Sequence, residues 1–153
     1  MKRKKTAIVS GYFDPLHVGH LEYFKMAKEL ADELLVIVNN HNQCMLKKGD
    51  EFMDERDRLE LVFHLDMVDE AILSTDEDRS VCETLKMITQ FKPHNKLIFC
   101  NGGDRDASNS PEVKVCSELG IEFTQGLGKK IRSSSELTGL VQPIHKLGFD
   151  GEE

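Results

Sequence analysis

The chain has 153 residues, 39% of them hydrophobic and 31% charged, the composition of a folded globular domain rather than of a disordered or fibrous chain. Twenty basic residues stand against 27 acidic ones, a net charge of −7 with neutral histidines, which argues against a nucleic-acid partner. No apolar run approaches the roughly 20 residues of a membrane span, and the basic start is followed only by Ala7-Ile8-Val9, too short for a signal peptide.

Residues 6–10 are a short apolar, β-branched run ending at Gly11 and predict a buried strand. Over 18–31, Leu21, Phe24, Ala27, Leu30 and Ala31 fall on one stripe and predict a helix. Residues 34–38 are a second continuous apolar strand, closed by Asn39-Asn40. A helix is predicted over 54–65, with Leu59, Val62 and Phe63 inward, and a third strand over 68–73. Residues 79–91 predict a helix with Val81, Cys82, Leu85 and Ile88 on one face and Pro93 just beyond it. A fourth strand follows at 96–100. A helix then starts near Pro111, which suits a first helical position, and ends at Gly120. Residues 121–123 form a short fifth strand, and Ser133-Ser134-Ser135 offer N-caps for a last helix through Leu140.

Strands that alternate with helices, and that are continuously apolar, predict an α/β fold. The expectation is a single domain over 1–153 holding a doubly wound, parallel, five-stranded sheet with helices on both faces. Ligands of such sheets bind at the carboxyl ends of the strands, where the strand order reverses. Segments 11–20, 39–48, 101–105 and 126–135 then share one rim. The cysteines Cys44, Cys82, Cys100 and Cys116 show no metal or disulfide spacing. They are expected to be reduced thiols in a cytoplasmic protein, with Cys100 and Cys116 packed in the core.

The most informative segment is Gly11-Tyr12-Phe13-Asp14-Pro15-Leu16-His17-Val18-Gly19-His20, directly after the first strand and opening a helix. Two imidazoles three residues apart at such a junction project to one side. Gly19 between them lets a ligand approach the backbone, and the helix N-terminus adds free N–H groups and partial positive charge. That combination is an anion site. With Gly11, Tyr12, Phe13 and Asp14 preceding it, the H-x-G-H string resembles the nucleotidyltransferase superfamily of cytidylyltransferases and adenylyltransferases, and the resemblance covers nearly the whole chain. It implies a Rossmann-like fold and transfer of an NMP unit from an NTP to a phosphate, with release of pyrophosphate. It also implies that His17 and His20 contact the NTP phosphates.

Further segments extend the resemblance. Lys47-Lys48-Gly49, reached from the second strand through a loop, is similar to the lysine segment of the heptose-phosphate adenylyltransferases; either lysine then reaches the phosphates, with Lys48 the catalytic candidate. Asp54 to Leu59 resembles the E-x-R start of a family helix, which makes Arg58 either a substrate contact or a surface ion-pair residue. Asn101-Gly102-Gly103-Asp104-Arg105 is similar to the family's G-G-D-Y or G-D-D rim, so Gly103, Asp104 and Arg105 are nucleotide-binding candidates; Arg105 departs from the aromatic of some relatives. Arg132-Ser133-Ser134-Ser135 resembles the second family signature, whose hydroxyls hold the triphosphate. Upstream of it, Gly128 stands where many cytidylyltransferases carry Arg, leaving Lys129, Lys130 or Arg132 to supply the charge.

The resemblance implies ATP or CTP as donor, Mg²⁺ on the triphosphate with no protein metal site, and a small phosphorylated sugar, polyol or amino alcohol as acceptor. A homodimer is a further expectation, with the tail 143–153 packing across the interface or capping the domain. A phosphate nucleophile is ionised at neutral pH, so the chemistry needs positioning and charge stabilisation rather than a general base. Rival readings fare worse. A class I aminoacyl-tRNA synthetase needs a Lys-Ser-Lys motif missing here, and a dinucleotide oxidoreductase needs G-x-G-x-x-G after the first strand. A non-catalytic nucleotide sensor on the same fold is the alternative.

Overall fold

A computed structural model describes residues 3–102 and 110–127. The elements run β1 (Lys5–Gly11), α1 (Val18–Glu29), β2 (Glu33–Val38), α2 (His41–Lys48), α3 (Glu55–Phe63), β3 (Glu70–Leu73), α4 (Cys82–Phe91), β4 (Lys96–Gly102), α5 (Pro111–Leu119) and β5 (Glu122–Leu127). The five strands form one sheet in the order β3-β2-β1-β4-β5, every pairing parallel. β1 is therefore flanked by β2 on one side and β4 on the other, and the strand order reverses between β1 and β4. Crevices in such sheets open at that point.

Side chains alternate across each strand, so the apolar runs feed two cores. Ala7, Val9, Leu34, Val36, Val38, Ile98 and Cys100 pack with Phe24 and Ala27 of α1 and Val62 of α3. Ile8, Leu35, Ile37, Leu97 and Phe99 pack on the other face with Leu85 and Ile88 of α4 and Cys116 of α5. Both faces are covered, as the continuous apolar pattern requires, and each large side chain buried there contributes roughly 1.5–3 kcal/mol. Cys100 and Cys116 are core residues, and all four thiols are free. No helix of the described residues is long and apolar enough to cross a membrane.

Three sequence expectations need correction. The segment before Gly49 is the helix α2, not a loop, and Lys47 and Lys48 occupy its last turn. Its signal is local rather than periodic: Asn40 and Gln43 form a reciprocal capping box and Gly49 closes the helix with a left-handed φ of 74°. In α3 the inward stripe is Arg58 and Val62, spaced i,i+4, with Leu59 beside it; Phe63, expected inward, is exposed. Lastly, β4 and β5 extend to Gly102 and Leu127, beyond the predicted ends. The last helix, the tail 143–153 and the calls on Gly103, Asp104, Arg105, Arg132, Ser133, Ser134 and Ser135 lie outside the described residues.

Candidate active site

β1 ends at Gly11 and hands the chain to a turn that must reach α1. Phe13 takes a left-handed φ of 53°, rare for a bulky residue, and its packing holds it there. Its ring is buried, edge-on to His20 (4.9 Å between centroids) and to Phe24 (5.3 Å). It also covers Gly11, where an added Cβ would come within 2.7 Å of the ring. Gly11 is thus the residue that lets Phe13 close over the strand end.

His17 is the N-cap of α1 and His20 its third residue. The Gly19 amide donates to His17 Nδ1 (3.1 Å), and the His17 amide donates to His20 Nδ1 (3.0 Å). This is a capping box built from two imidazoles instead of a hydroxyl and a carboxamide. Because each Nδ1 accepts, the neutral ring carries its proton on Nε2. The rings are stacked, 3.8 Å between centroids and 27° apart. Burial, reinforced by the neighbouring His17, pushes the pKa of His20 down to about 3. His20 is therefore an uncharged N–H donor at neutral pH.

Across the rim, Asp14 is buried and its carboxylate is engaged from three directions. The amides of Phe52 (2.8 Å) and Met53 (2.6 Å) donate to it, and Lys48 Nζ pairs with it at 2.8 Å. Burial alone would raise its pKa, but Lys48 and the two amides outweigh that and hold it below the ordinary carboxylate value. Lys47 lies over the Tyr12 ring, 4.3 Å from its centroid. Arg58, expected as a substrate contact or a surface ion-pair residue, is neither: it is 1% exposed. Its guanidinium donates to Met53 O (2.9 Å), Tyr12 O (2.8 Å) and Asn39 O (2.7 Å) and pairs with Glu51. It ties the ends of β1 and β2 to the loop before α3, and Glu51 passes the chain on to His41 Nδ1 at 2.6 Å.

These groups border a cavity of about 980 Å³ at the carboxyl end of the sheet, the size of a pocket for a substantial ligand. Of the predicted site, Gly11, Tyr12, Phe13, Asp14, His20, Lys47 and Lys48 line it. His17 and Gly19 join through the cap and the ring stack. The opposite wall carries Asn101, which opens the rim segment 101–105, and three residues not singled out from sequence: Arg79, Ser80 and Glu112. Asn101 had a legible signal, since it sits at a strand's carboxyl end; Arg79 and Glu112 come from helix approaches that periodicity alone does not aim at a site. Among the described residues no group of three or more His, Cys, Asp or Glu side chains could hold a metal ion.

Comparison with known proteins gives the same placement. The cytidylyltransferase-like family model matches residues 8–120. The FAD synthase of Thermoplasma volcanium is 36% identical over 114 residues, 74% of this chain and 75% of that protein. The FAD synthase of Pyrococcus abyssi is 35% identical over 105 residues, 68% of this chain and 66% of its own length, just under two thirds. The crystal structure of the lipopolysaccharide core biosynthesis protein from Thermoplasma volcanium superposes with a TM-score of 0.61 at 28% identity, over 85% of this chain and 98% of that one. With most of its sheet and the whole imidazole cap inside the matched span, this chain belongs to the cytidylyltransferase-like family and is a nucleotidyltransferase.

Proposed function

We propose that this protein transfers AMP from ATP to a small phosphomonoester, with FMN the preferred acceptor and FAD and pyrophosphate the products. The observation that carries the transfer chemistry is the double-imidazole cap: two stacked rings whose tautomers are fixed by the backbone so that both N–H donors are on Nε2. The choice of AMP and of FMN rests on the relatives named FAD synthase, because FAD is AMP joined to FMN through a pyrophosphate. FMN is a polyol phosphate and falls within the acceptor class expected from sequence.

In the reaction an acceptor phosphate oxygen attacks the α-phosphorus of ATP. The new O–P bond forms as the bond to the β-phosphate oxygen breaks, and the electron pair leaves with pyrophosphate. His17 and His20 donate from Nε2 to phosphate oxygens, as neutral groups in the case of His20, beside the positive end of α1. Lys47 and Lys48, at the last turn of α2, supply the positive charge that lets two anions meet. Gly19 and the Gly11–Asp14 turn hold the phosphates against the backbone, and Gly103, Asp104, Arg105, Arg132 and Ser133–Ser135 are proposed to complete the nucleotide site. Magnesium arrives with the triphosphate, held by phosphate oxygens and water, as part of the substrate.

A second reading has a sugar phosphate as acceptor, favoured by the similarity to the lipopolysaccharide core biosynthesis protein. Pyrophosphate release from ATP or CTP, offered with FMN and with a heptose phosphate in separate reactions, decides among these. Turnover with ATP and FMN is the expected result. Nucleotide binding without pyrophosphate release from any pair would replace the enzyme by a sensor.

A further inference from the structure

At the carboxyl end of β4, Phe99 packs on the α4/α5 side of the sheet and Cys100 in the α1 core, and Asn101 follows where the pairing with β5 shifts register. Asn101 lines the cavity beside Phe99, on the wall opposite the lysines. Its Nδ2 is buried and has no hydrogen-bond partner among the described residues. Buried side-chain amides without a partner are rare, because a donor removed from water and left unbonded destabilises the fold. Leucine has the same number of side-chain heavy atoms, branched at the same carbon, and would lift that penalty. Two neighbouring polar groups, by contrast, are spent on the protein: Ser80 Oγ donates to Asp78 (2.7 Å) and Glu112 accepts from the Val81 amide (3.0 Å). A ligand acceptor that enters the cavity beside Asn101 would supply the missing partner.

We infer that Asn101 is a specificity-determining residue: its amide N–H₂ donates to an oxygen or ring-nitrogen acceptor on the body of one of the two substrates, the nucleoside or the acceptor alcohol, remote from the reacting phosphates. This rests on the nucleotidyltransfer reading and adds the recognition element that the imidazole cap and the lysines, which see only phosphate, do not provide. It accounts for a buried donor left without a partner among the described residues.

The test compares wild type with Asn101→Leu and Asn101→Asp in two measurements: thermal unfolding with and without ATP or FMN, and steady-state pyrophosphate release. Asn101→Leu should keep or raise the melting temperature of the free protein by about 2–4 °C. It should raise KM for one substrate about tenfold while kcat stays within about twofold. Asn101→Asp, which keeps the shape but loses the donor, should raise the same KM. A change in the ATP KM alone assigns the contact to the nucleoside; a change in the FMN KM alone assigns it to the acceptor. Unchanged KM values in both variants, or a fall in melting temperature by more than about 4 °C in both, overturn the inference by leaving Asn101 neutral or structural. If the wild type is shifted by neither ligand and releases no pyrophosphate, the nucleotidyltransfer reading fails, and this inference with it.

Discussion

The two walls of the cavity differ in whether every buried donor has a partner. On the β1–α1–α2 side the polar groups hold one another: imidazoles cap a helix, Asp14 gathers Lys48 and two amides, and Arg58 gathers three carbonyls and Glu51. On the β4–α4–α5 side Asn101 carries a buried donor with no partner among the described residues. The first plan suits phosphate, which is the same in every substrate and rewards donors fixed in advance. The second suits recognition of a particular molecule, whose contact is completed only on binding.

The largest effect is expected where the first wall is anchored. Arg58→Met leaves a buried guanidinium site empty, with three carbonyls and one oxygen of the part-buried Glu51 carboxylate losing their donor, and urea unfolding should show a loss of about 3–5 kcal/mol. A loss under about 1 kcal/mol would mean that water or another donor reaches those groups. His17→Ala and His20→Ala should each lower the rate of pyrophosphate release by about 10²–10³-fold. Each also removes half of a helix cap, worth about 0.5–2 kcal/mol, so unfolding must be followed alongside. If the rate falls no further than unfolding explains, the imidazoles are caps only and the contrast between the walls collapses.

Smaller effects sharpen the picture. At Gly102 an added Cβ would meet the Tyr23 ring at 2.8 Å, and the Tyr23 hydroxyl donates to Cys100 O beside it. Gly102→Ala should therefore destabilise by about 1–3 kcal/mol, read by denaturant unfolding; a neutral result would show that the ring can move aside. A further effect concerns pH. His20 titrates at about 3 when folded and near 6.5 when unfolded, so below pH 6.5 the unfolded chain binds the extra proton. Stability from this group is fully present above pH 6.5 and is lost progressively as pH falls toward 3. The lowered carboxylates Asp14 and Glu33 add losses of the same sign in acid. His20→Gln, which keeps an acceptor for the cap, should flatten the dependence of melting temperature on pH between 5 and 6.5. An unchanged slope would show that His20 is not protected from protonation.

What could be read from the residues was whatever local chemistry decides. The apolar runs of β1, β2 and β4 fixed a parallel sheet covered on both faces, because only two-sided burial makes a strand continuously apolar. Gly11 through His20 disclosed an anion site, because a strand end, a glycine and a helix start place donors on one side whatever the rest of the fold does. Tertiary structure decided the partners of charge. Nothing in the spacing separates an Arg58 that meets substrate from one that is buried against backbone carbonyls 46 and 19 residues away. Nor does it say that Asp14 is committed to the α2–α3 loop, or that Asn101 Nδ2 has no partner among the described residues. Those outcomes depend on which distant groups the packing brings within about 3 Å, and charged or amide side chains take their role from that neighbourhood rather than from their place in the chain.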